Sequence, residues 1–371
     1  MTTLSIDPNI AASPNYVGGT SMETIKEKYG LEDVIKLASN ESMLPPSPRV
    51  IAAIQQEIAG LNRYPATMGD QDVRATLAES IGQGTSPENF VTGNGGCDVL
   101  NLIATGYLKK GDECIICRPT FPVYDLTARR RGAKVVYVDL DPEQFSYDVE
   151  AILGAVTEQT RIIYLCTPNN PTGTLLTAEQ METLVNNIPP QVLLVSDEVY
   201  HHFATDPTFP RTIDYVGQSK NVIIVHSLSK VFGLAGMRFG YGMAPAEIAT
   251  YLSRARLPFH LNKLTMAGAK AALMDETYIE KTRELTVSGR DWLTEQLQRI
   301  EGQVWPSQSN FVLMKPPFES KLVADRLEQR GVIVRPLDNF YLPGYLRVTV
   351  GLPKENERFI KELRNVFAEL A

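Results

Sequence analysis

The stretch NVIIVHSLSKVFGLAGMRFGYG, residues 221–242, decides how the rest of the chain is interpreted. It begins with an apolar, β-branched run that is typical of a buried strand, and this run leads into a segment that contains Lys230. Ser227 and Ser229 come just before this lysine, and Arg238 follows it in the glycine-containing segment. A lysine beside buried surface has a lowered pKa, so its amine is a better nucleophile. The stretch therefore indicates a strand that ends at a reactive amine with anion-binding groups nearby.

Apolar runs of the same kind recur between helical segments from about residue 47 to residue 258. Five of them have the length and the β-branched content of buried strands: ECIIC, KVVYVDL, RIIYLC, QVLLVSD and NVIIVHS. Ser47 followed by Pro48 predicts the beginning of one helix, and a capping box at Thr177 and Gln180 predicts another. This alternation is typical of an α/β domain in which helices flank a mostly parallel sheet.

The pattern changes after about residue 260, where longer helical segments lead into the strands SNFVLMK, VIVRP and YLRVTV and a final amphipathic helix. We interpret residues 261–371 as a small C-terminal α+β domain and residues 41–260 as a large α/β domain. Residues 1–40 have weak periodicity, and we expect this N-terminal segment to pack with the small domain.

Composition argues against several classes of function. The chain has 371 residues, of which 43% are hydrophobic, so it can form a large core. Its net charge is −7 and its basic residues are scattered, which argues against nucleic-acid binding. Neither an apolar run of about 18 residues nor the pattern of a secretory signal is present in the sequence. We therefore expect a cytoplasmic protein with neither membrane nor nucleic acid as a partner.

The cysteines and histidines show no pattern of metal ligands. Cys114 and Cys117 lie within a predicted strand, where residues three apart face opposite sides of the sheet. The four histidines have no ligand spacing either. We expect no metal, and we interpret the cysteines as structural residues of a protein in a reducing compartment.

Glycines and polar residues lie where predicted strands end, which is where open α/β sheets bind ligands. GNGGCD, residues 93–98, places glycines at the start of a helix, where backbone N–H groups can bind a phosphate. Asn170 precedes Pro171 in a rigid turn, and Asp197 follows an apolar strand, where a buried carboxylate favours a cation. Taken singly, the glycines also fit a plain tight turn and Asp197 a helix cap. Together with Lys230, these groups match the phosphate, carbonyl and ring nitrogen of pyridoxal 5'-phosphate.

The order of the motifs GNGG, PTF, NNPTG, SDEVY, SLSK, GMRFGYG and YLRVTVG resembles that of the fold-type I pyridoxal-phosphate aminotransferases of class I/II. The segments DVIKLASNES, NRYPA, PSQSNFVL and GVIVRPLDNF are most similar to the histidinol-phosphate aminotransferase branch. The resemblance extends from about Tyr16 to the end of the chain. It implies a large α/β domain with a mostly parallel sheet and a smaller α+β domain.

The resemblance implies how the chain binds its cofactor. Lys230 would form the Schiff base with pyridoxal 5'-phosphate and move the proton, and Asp197 would keep the ring nitrogen protonated. Asn170 and Tyr200 would hydrogen-bond the phenolic oxygen, and Phe121 would stack on the ring, although an aromatic at this position also fits a plain core residue. The phosphate would lie against Gly96, Cys97, Ser227, Ser229 and Arg238.

The resemblance also implies a homodimer with shared active sites, in which Tyr64 reaches the phosphate of the neighbouring subunit. Arg347 would bind a carboxylate or phosphate of the substrate, with further contacts from Arg335, Tyr16 and Asn40. The implied partners are a small-molecule amino donor, with L-histidinol phosphate expected, and the 2-oxo acid 2-oxoglutarate.

Alternatives remain open because the motifs specify the cofactor more closely than the substrate. The family usually has an acidic triplet SDE where this chain has Gly96, Cys97 and Asp98, and His260 stands where an asparagine is common. An aminotransferase for aromatic or other amino acids, or a pyridoxal-phosphate-dependent decarboxylase on the same scaffold, would share these motifs. A non-catalytic sensor module would normally carry an added DNA-binding segment, and the N-terminal residues show no such pattern.

Overall fold

The computed structural model describes residues 5–13, 18–65 and 69–371. Its helices are α1 Pro8–Ala11, α2 Met22–Tyr29, α3 Pro48–Ile58, α4 Gln71–Ile81, α5 Gly96–Tyr107, α6 Val123–Arg130, α7 Val149–Gly154, α8 Ala178–Asn187, α9 Ile213–Gly217, α10 Ala246–Arg254, α11 Lys263–Leu273, α12 Glu276–Gln298, α13 Ser320–Gln329 and α14 Pro353–Leu370. Its strands are β1 Ile35–Lys36, β2 Phe90–Gly93, β3 Glu113–Arg118, β4 Lys134–Asp139, β5 Thr160–Cys166, β6 Leu193–Asp197, β7 Val222–Ser227, β8 Gly240–Met243, β9 Gln303–Trp305, β10 Phe311–Lys315, β11 Val332–Ile333, β12 Arg335–Pro336 and β13 Leu346–Thr349.

A seven-stranded mixed sheet forms the larger part of the fold, with the strand order β2-β8-β7-β6-β5-β3-β4. The strands from β7 to β4 in this order run parallel to one another. Strand β8 runs antiparallel to both of its neighbours, β7 and β2. The structure thus confirms the predicted α/β class with a mostly parallel sheet.

Both faces of this sheet are buried, which explains why the predicted strands are apolar without alternation. Cys114 and Ile116 of β3 pack in a core with residues of α5, α6 and α10. Ile115 and Cys117 of the same strand pack in another core with residues of α7 and α8. The two cysteines of the CIIC sequence therefore face opposite sides of the sheet, as the alternation of a strand predicts.

The strand KVVYVD was predicted to be buried, and the structure shows that this prediction is wrong. It forms β4 at the edge of the sheet, where its four middle residues are half-buried and its ends, Lys134 and Asp139, are exposed. An edge strand has a neighbour on one side only, so less of its surface is covered, and charged ends discourage pairing with another chain.

A second sheet is antiparallel, with the strand order β12-β13-β10-β9. Its apolar face packs in a core with residues of α12, α13 and α14. The predicted strand VIVRP is divided in the structure. Val332–Ile333 pairs in parallel with Ile35–Lys36, whereas Arg335–Pro336 pairs with β13. The N-terminal segment is thereby joined to the C-terminal part of the chain.

The predicted domain boundaries at residues 40 and 260 stay a prediction. Helix α11, which follows the second boundary, packs against α3 and α4 of the preceding part. Within the described residues, no helix has both the length and the hydrophobicity that crossing a bilayer requires. The cytoplasmic location also stays a prediction of the sequence.

Candidate active site

A cavity of about 400 Å³ lies between the carboxyl ends of β5, β6 and β7 and the second sheet. It brings together most of the site residues predicted from the sequence: Asn40, Gly96, Cys97, Phe121, Asn170, Asp197, Tyr200, Ser227, Ser229, Lys230, Arg238, Arg335 and Arg347. Ligands of open α/β sheets bind at such strand ends, so the cavity is the candidate active site.

Lys230 lies in the turn after β7 and is half-buried. Its Nζ donates a hydrogen bond to the backbone oxygen of Asn40 at 3.2 Å and lies 5.2 Å from the centre of the Tyr200 ring. Loss of hydration lowers the pKa of the Lys230 amine to about 8, and the nearby positive charge of Arg347 acts in the same direction. An appreciable fraction of this amine is therefore uncharged and nucleophilic near neutral pH.

Asp197 is the last residue of β6 and is 3% exposed. Its carboxylate accepts hydrogen bonds from the Tyr124 hydroxyl at 2.6 Å and from the Val199 N–H at 3.3 Å. Burial raises the pKa of Asp197 to about 6, and the hydrogen bond from Tyr124 opposes this rise. A carboxylate buried in this way gains strongly from a cation placed beside it in the cavity.

The beginning of α5 has the shape of an anion site. Gly95 has a φ of +88°, and a Cβ there would lie 2.3 Å from a guanidinium nitrogen of Arg238. A Cβ at Gly240 would lie 2.4 Å from the backbone nitrogen of Gly96. Glycine is therefore required at both positions for this close approach. The N–H groups of Gly96 and Cys97 are in the first helical turn, where no intrahelical acceptor exists and anions are favoured.

Hydroxyl groups and a guanidinium lie beside this helix start. The Oγ atoms of Ser227 and Ser229 are 2.8 Å apart, and the Ser229 N–H donates to the Ser227 Oγ at 3.1 Å. Arg238 has a left-handed backbone, with φ at +57°, and it donates to the Ala235 oxygen at 3.0 Å. Donors and positive charge of this kind suit a phosphate.

Arg347, in β13, is 4% exposed and forms the opposite wall. It donates to Oδ1 of Asn170 and, at 2.9 Å, to the Ala38 oxygen. Because Oδ1 is the acceptor, the amide of Asn170 is held with its Nδ2 available as a donor. The guanidinium carbon lies 5.1 Å and 5.4 Å from the ring centres of Phe340 and Phe311. A planar cation held in this way can bind a carboxylate or a phosphate.

Tyr200 and Asn40 are hydrogen-bonded to each other within the wall of the cavity. The Asn40 Nδ2 donates to the Tyr200 oxygen at 3.0 Å, and both residues are buried. Burial raises the pKa of Tyr200 above its usual value, so its hydroxyl keeps its proton at neutral pH. The side chain of Asn40, which was predicted to contact the substrate, is thus engaged with the protein itself.

Phe121 and Arg335 lie at the border of the cavity. Phe121 is half-buried, and its ring meets that of Tyr124 edge to face with centres 5.8 Å apart. Arg335 donates to the Gly18 oxygen at 2.9 Å, and its guanidinium carbon lies 5.6 Å from the centre of the Phe340 ring.

Two described residues that were singled out from the sequence, Tyr64 and His260, are not part of this cavity wall. Tyr64 is 80% exposed, and its ring stacks on that of Phe259 at 4.8 Å. His260 lies 2.9 Å from the Thr92 hydroxyl through its Nε2, beside the ion pair of Asp70 and Arg256. Tyr16 lies outside the described residues.

The sequence did not indicate Tyr124 and Thr349 as parts of the site. The bond of Tyr124 to Asp197 spans 73 positions of the chain, and no local pattern links the two residues. Thr349 follows Arg347 by two residues in a strand, so both face the same side of the sheet. That spacing was the one signal that could have identified it. Within the described ranges, no three His, Cys, Asp or Glu side chains are grouped to hold a metal ion.

The family model of the aminotransferases of class I and II matches residues 32–363. Histidinol-phosphate aminotransferase from Moorella thermoacetica is 38% identical over 354 residues, which are 95% of this chain and 90% of that protein. The crystal structure of histidinol-phosphate aminotransferase from Sinorhizobium meliloti in complex with pyridoxal-5'-phosphate has a TM-score of 0.88 at 26% identity, covering 99% of this chain and 98% of that one. A double mutant of Thermus thermophilus aspartate aminotransferase has a TM-score of 0.84 at 25% identity over all of both chains.

These matches confirm the resemblance and the fold-type I architecture expected from it. The matched residues include all strands of the seven-stranded and four-stranded sheets. They also include every described residue that lines the cavity except Gly19. This chain belongs to the class I and II aminotransferase family, and it is a transaminase.

Proposed function

We propose that this transaminase uses pyridoxal 5'-phosphate to transfer the amino group of L-histidinol phosphate to 2-oxoglutarate. The observation that carries the proposal is one cavity that combines an anion site at the start of α5, the buried carboxylate of Asp197 and the amine of Lys230. Two findings on similar proteins support it. The Moorella relative is named for histidinol phosphate, and the Sinorhizobium structure contains the cofactor.

The residues present fit this cofactor. The close approach of Gly95 to Arg238 would be blocked by any side chain, and it leaves backbone donors and a guanidinium at a site suited to a phosphate. The Asp197 carboxylate suits a protonated ring nitrogen because burial penalises its charge unless a cation is beside it. The Lys230 amine, with its lowered pKa, suits a bond to an aldehyde.

Bound there, pyridoxal 5'-phosphate would supply an electrophilic carbonyl and a ring that withdraws electrons. The protein would supply the proton transfers and the orientation. The Nζ of Lys230 would take a proton from the reacting carbon of the donor and deliver it to the carbon that was the cofactor's carbonyl carbon. Asp197 would hold the proton on the ring nitrogen by its negative charge. The Nδ2 of Asn170 and the hydroxyl of Tyr200 would donate hydrogen bonds to the phenolic oxygen.

The cations of the opposite wall would bind both substrates in turn. Histidinol phosphate carries a phosphate and no carboxylate, whereas 2-oxoglutarate carries two carboxylates. Arg347 and Arg335 both line the cavity, and a guanidinium can bind either kind of anion. One pair of arginines can therefore serve both half-reactions.

A donor screen tests the proposal. Purified protein with bound cofactor is given one of histidinol phosphate, phenylalanine, tyrosine or histidine, with and without 2-oxoglutarate, and glutamate and carbon dioxide are measured. We expect the highest kcat/KM with histidinol phosphate and no carbon dioxide from any of the three amino acids. A higher value with an aromatic amino acid would reassign the donor, and carbon dioxide released without 2-oxoglutarate would indicate a decarboxylase.

We also propose a homodimer with shared active sites. The exposed Tyr64 and Leu257, which are 80% and 79% exposed, and the ring of Phe259 form an apolar surface outside the cavity. Sedimentation should give twice the mass of the chain. Mixing the variants Lys230→Ala and Tyr64→Ala should restore activity, because a mixed dimer would contain one site with both native residues. A monomer, or a mixture that stays inactive, would contradict the proposal.

A further inference from the structure

We propose that Asn40 and Thr349 form a positioning pair that aims the Tyr200 hydroxyl and the Lys230 amine at the reacting groups. The inference rests on the proposed function, since it assigns the hydrogen bonds behind the same site. Asn40 precedes α3 and Thr349 ends β13, so the pair joins positions 309 residues apart. Both side chains are buried, at 1% and 3% exposure, and Asn40 lines the cavity.

The hydrogen bonds between the two residues fix the orientation of the Asn40 amide. The backbone N–H of Asn40 donates to Oγ1 of Thr349 at 2.9 Å. The Thr349 hydroxyl proton must then point to a different acceptor, and Oδ1 of Asn40 lies 3.1 Å away. With Oδ1 held by Thr349, it is the Nδ2 group that faces Tyr200 and donates to its oxygen.

This orientation determines what the Tyr200 hydroxyl can do. Its oxygen accepts the hydrogen bond from Asn40, so its own proton can be donated into the cavity that Tyr200 lines. A reversed amide would offer Tyr200 an acceptor, and the phenol would then donate to the protein instead. Thr349 therefore acts through Asn40 to keep Tyr200 a donor toward the cofactor's phenolic oxygen.

The backbone of Asn40 acts on Lys230. Its carbonyl oxygen accepts from the Lys230 Nζ at 3.2 Å and from the Asn310 Nδ2 at 3.1 Å. Asn40 has a φ of +54°, a left-handed conformation that asparagine tolerates better than most residues. In this conformation its N–H faces Thr349 while its carbonyl faces Lys230. The carbonyl therefore holds the amine in place whenever it is not bonded to the cofactor.

Two variants of Thr349 separate positioning from structural support. Thr349→Val removes the hydroxyl at nearly constant volume, and Thr349→Ser keeps it. In cofactor-loaded protein, the pH midpoint of the visible absorbance is measured. In cofactor-free protein, the pH dependence of Lys230 labelling by trinitrobenzenesulfonate is followed by mass spectrometry.

We expect Thr349→Val to raise the absorbance midpoint by about one pH unit, because the cofactor's phenolic oxygen loses a well-aimed donor. The labelling midpoint of Lys230 should fall, because its ammonium form loses a well-placed acceptor. Thr349→Ser should match the wild-type protein in both titrations. Wild-type midpoints in Thr349→Val, or equal shifts in both variants, would overturn the inference.

A third variant keeps the inference testable if Thr349→Val does not fold. Asn40→Gly tolerates the left-handed backbone and keeps the carbonyl, but it removes the amide. It should shift the absorbance midpoint and leave the labelling midpoint of Lys230 unchanged; an unshifted absorbance would overturn the inference. Wild-type protein that shows no cofactor absorbance would contradict the proposed function instead, and labelling of the Thr349 variants would still decide on the pair.

Discussion

On one side of the cavity, Asp197 ends β6 and Lys230 lies in the turn after the adjacent parallel strand β7. On the other side, segments from opposite ends of the chain meet through hydrogen bonds: the Asn40 N–H donates to Oγ1 of Thr349, and Arg347 donates to the Ala38 oxygen. The first side is positioned by the backbone ladder of a sheet that is buried on both faces. The second side depends on a few polar contacts between segments distant in sequence.

This difference predicts different kinds of damage. Substitutions among the strand-end residues should impair cofactor binding or the chemistry common to all substrates. Substitutions on the opposite wall should alter substrate affinity while the cofactor stays bound. Four substitutions, at Lys230, Asp197, Arg347 and Tyr124, test this division.

Replacing Lys230 by alanine should abolish turnover, with a loss of roughly 10⁴-fold or more, because the nucleophile and the proton carrier are lost together. The visible absorbance of cofactor covalently bound to the protein should disappear as well. Steady-state kinetics and absorbance spectra check both results. Lys321→Ala is a suitable control because that side chain is 60% exposed and outside the cavity; retained turnover in Lys230→Ala would refute the mechanism.

Asp197→Ala should weaken cofactor binding and lower kcat by about a hundredfold or more, because the charge that stabilises the ring cation is removed. The neighbouring residue provides a matched control. Glu198 is also buried, but its carboxylate accepts from the Ser196 hydroxyl at 2.7 Å and does not line the cavity. Glu198→Gln should therefore leave the cofactor affinity unchanged. A mild effect of Asp197→Ala, measured by fluorescence titration and kinetics, would argue against the ring pairing.

Arg347→Ala should raise the KM for 2-oxoglutarate by roughly 10- to 100-fold, the value of a lost charged hydrogen bond. The cofactor should remain bound, because the phosphate site and Asp197 lie on the other wall. Arg326→Ala, on the exposed face of α13, is the control. If Arg347→Ala lost its cofactor, the proposed division between the two sides would fail.

The smallest effect is expected for Tyr124→Phe, through the ionisation of Asp197. Asp197 has a raised pKa of about 6, so its carboxylate is charged above that pH and neutral below it. Cofactor affinity should therefore fall as the pH drops through 6. Without the Tyr124 hydroxyl, which stabilises the charged form, the pKa should rise and the fall should begin about one unit higher. Cofactor titrations between pH 5 and 8 test this. Asp197→Asn has no ionisable side chain at this position, so it should lack the fall in cofactor affinity that Asp197 causes.

The side of the site that the backbone positions was also the side that the sequence predicted best. Apolar runs located β5, β6 and β7, and the residues after them were expected at one edge because parallel strands end together. Glycine is needed at positions 95 and 240 because a Cβ there would collide with the guanidinium of Arg238 and with the backbone nitrogen of Gly96. Burial of β4 was predicted wrongly because an apolar run carries no information on the order of strands in a sheet.

Contacts between distant segments could not be predicted in the same way. The bond from Tyr124 to Asp197 and the bonds between Asn40 and Thr349 depend on how separate elements pack. No local pattern of the sequence encodes such pairings. The division of VIVRP between two sheets has the same origin, since its partners β1 and β13 lie far apart in the chain.

The pairing of β1 with β11 has a mechanical consequence. The backbone N–H of Leu37 donates to the Ile333 oxygen at 2.8 Å, and the N–H of Thr349 donates to the Leu37 oxygen at 2.8 Å. Residues 35–40 are thus hydrogen-bonded to β11 and β13. If these strands moved away from β7, the carbonyl group of Asn40 would move with them. A motion that widened the cleft for substrate would therefore also separate the Lys230 ammonium from the carbonyl oxygen that accepts its hydrogen bond.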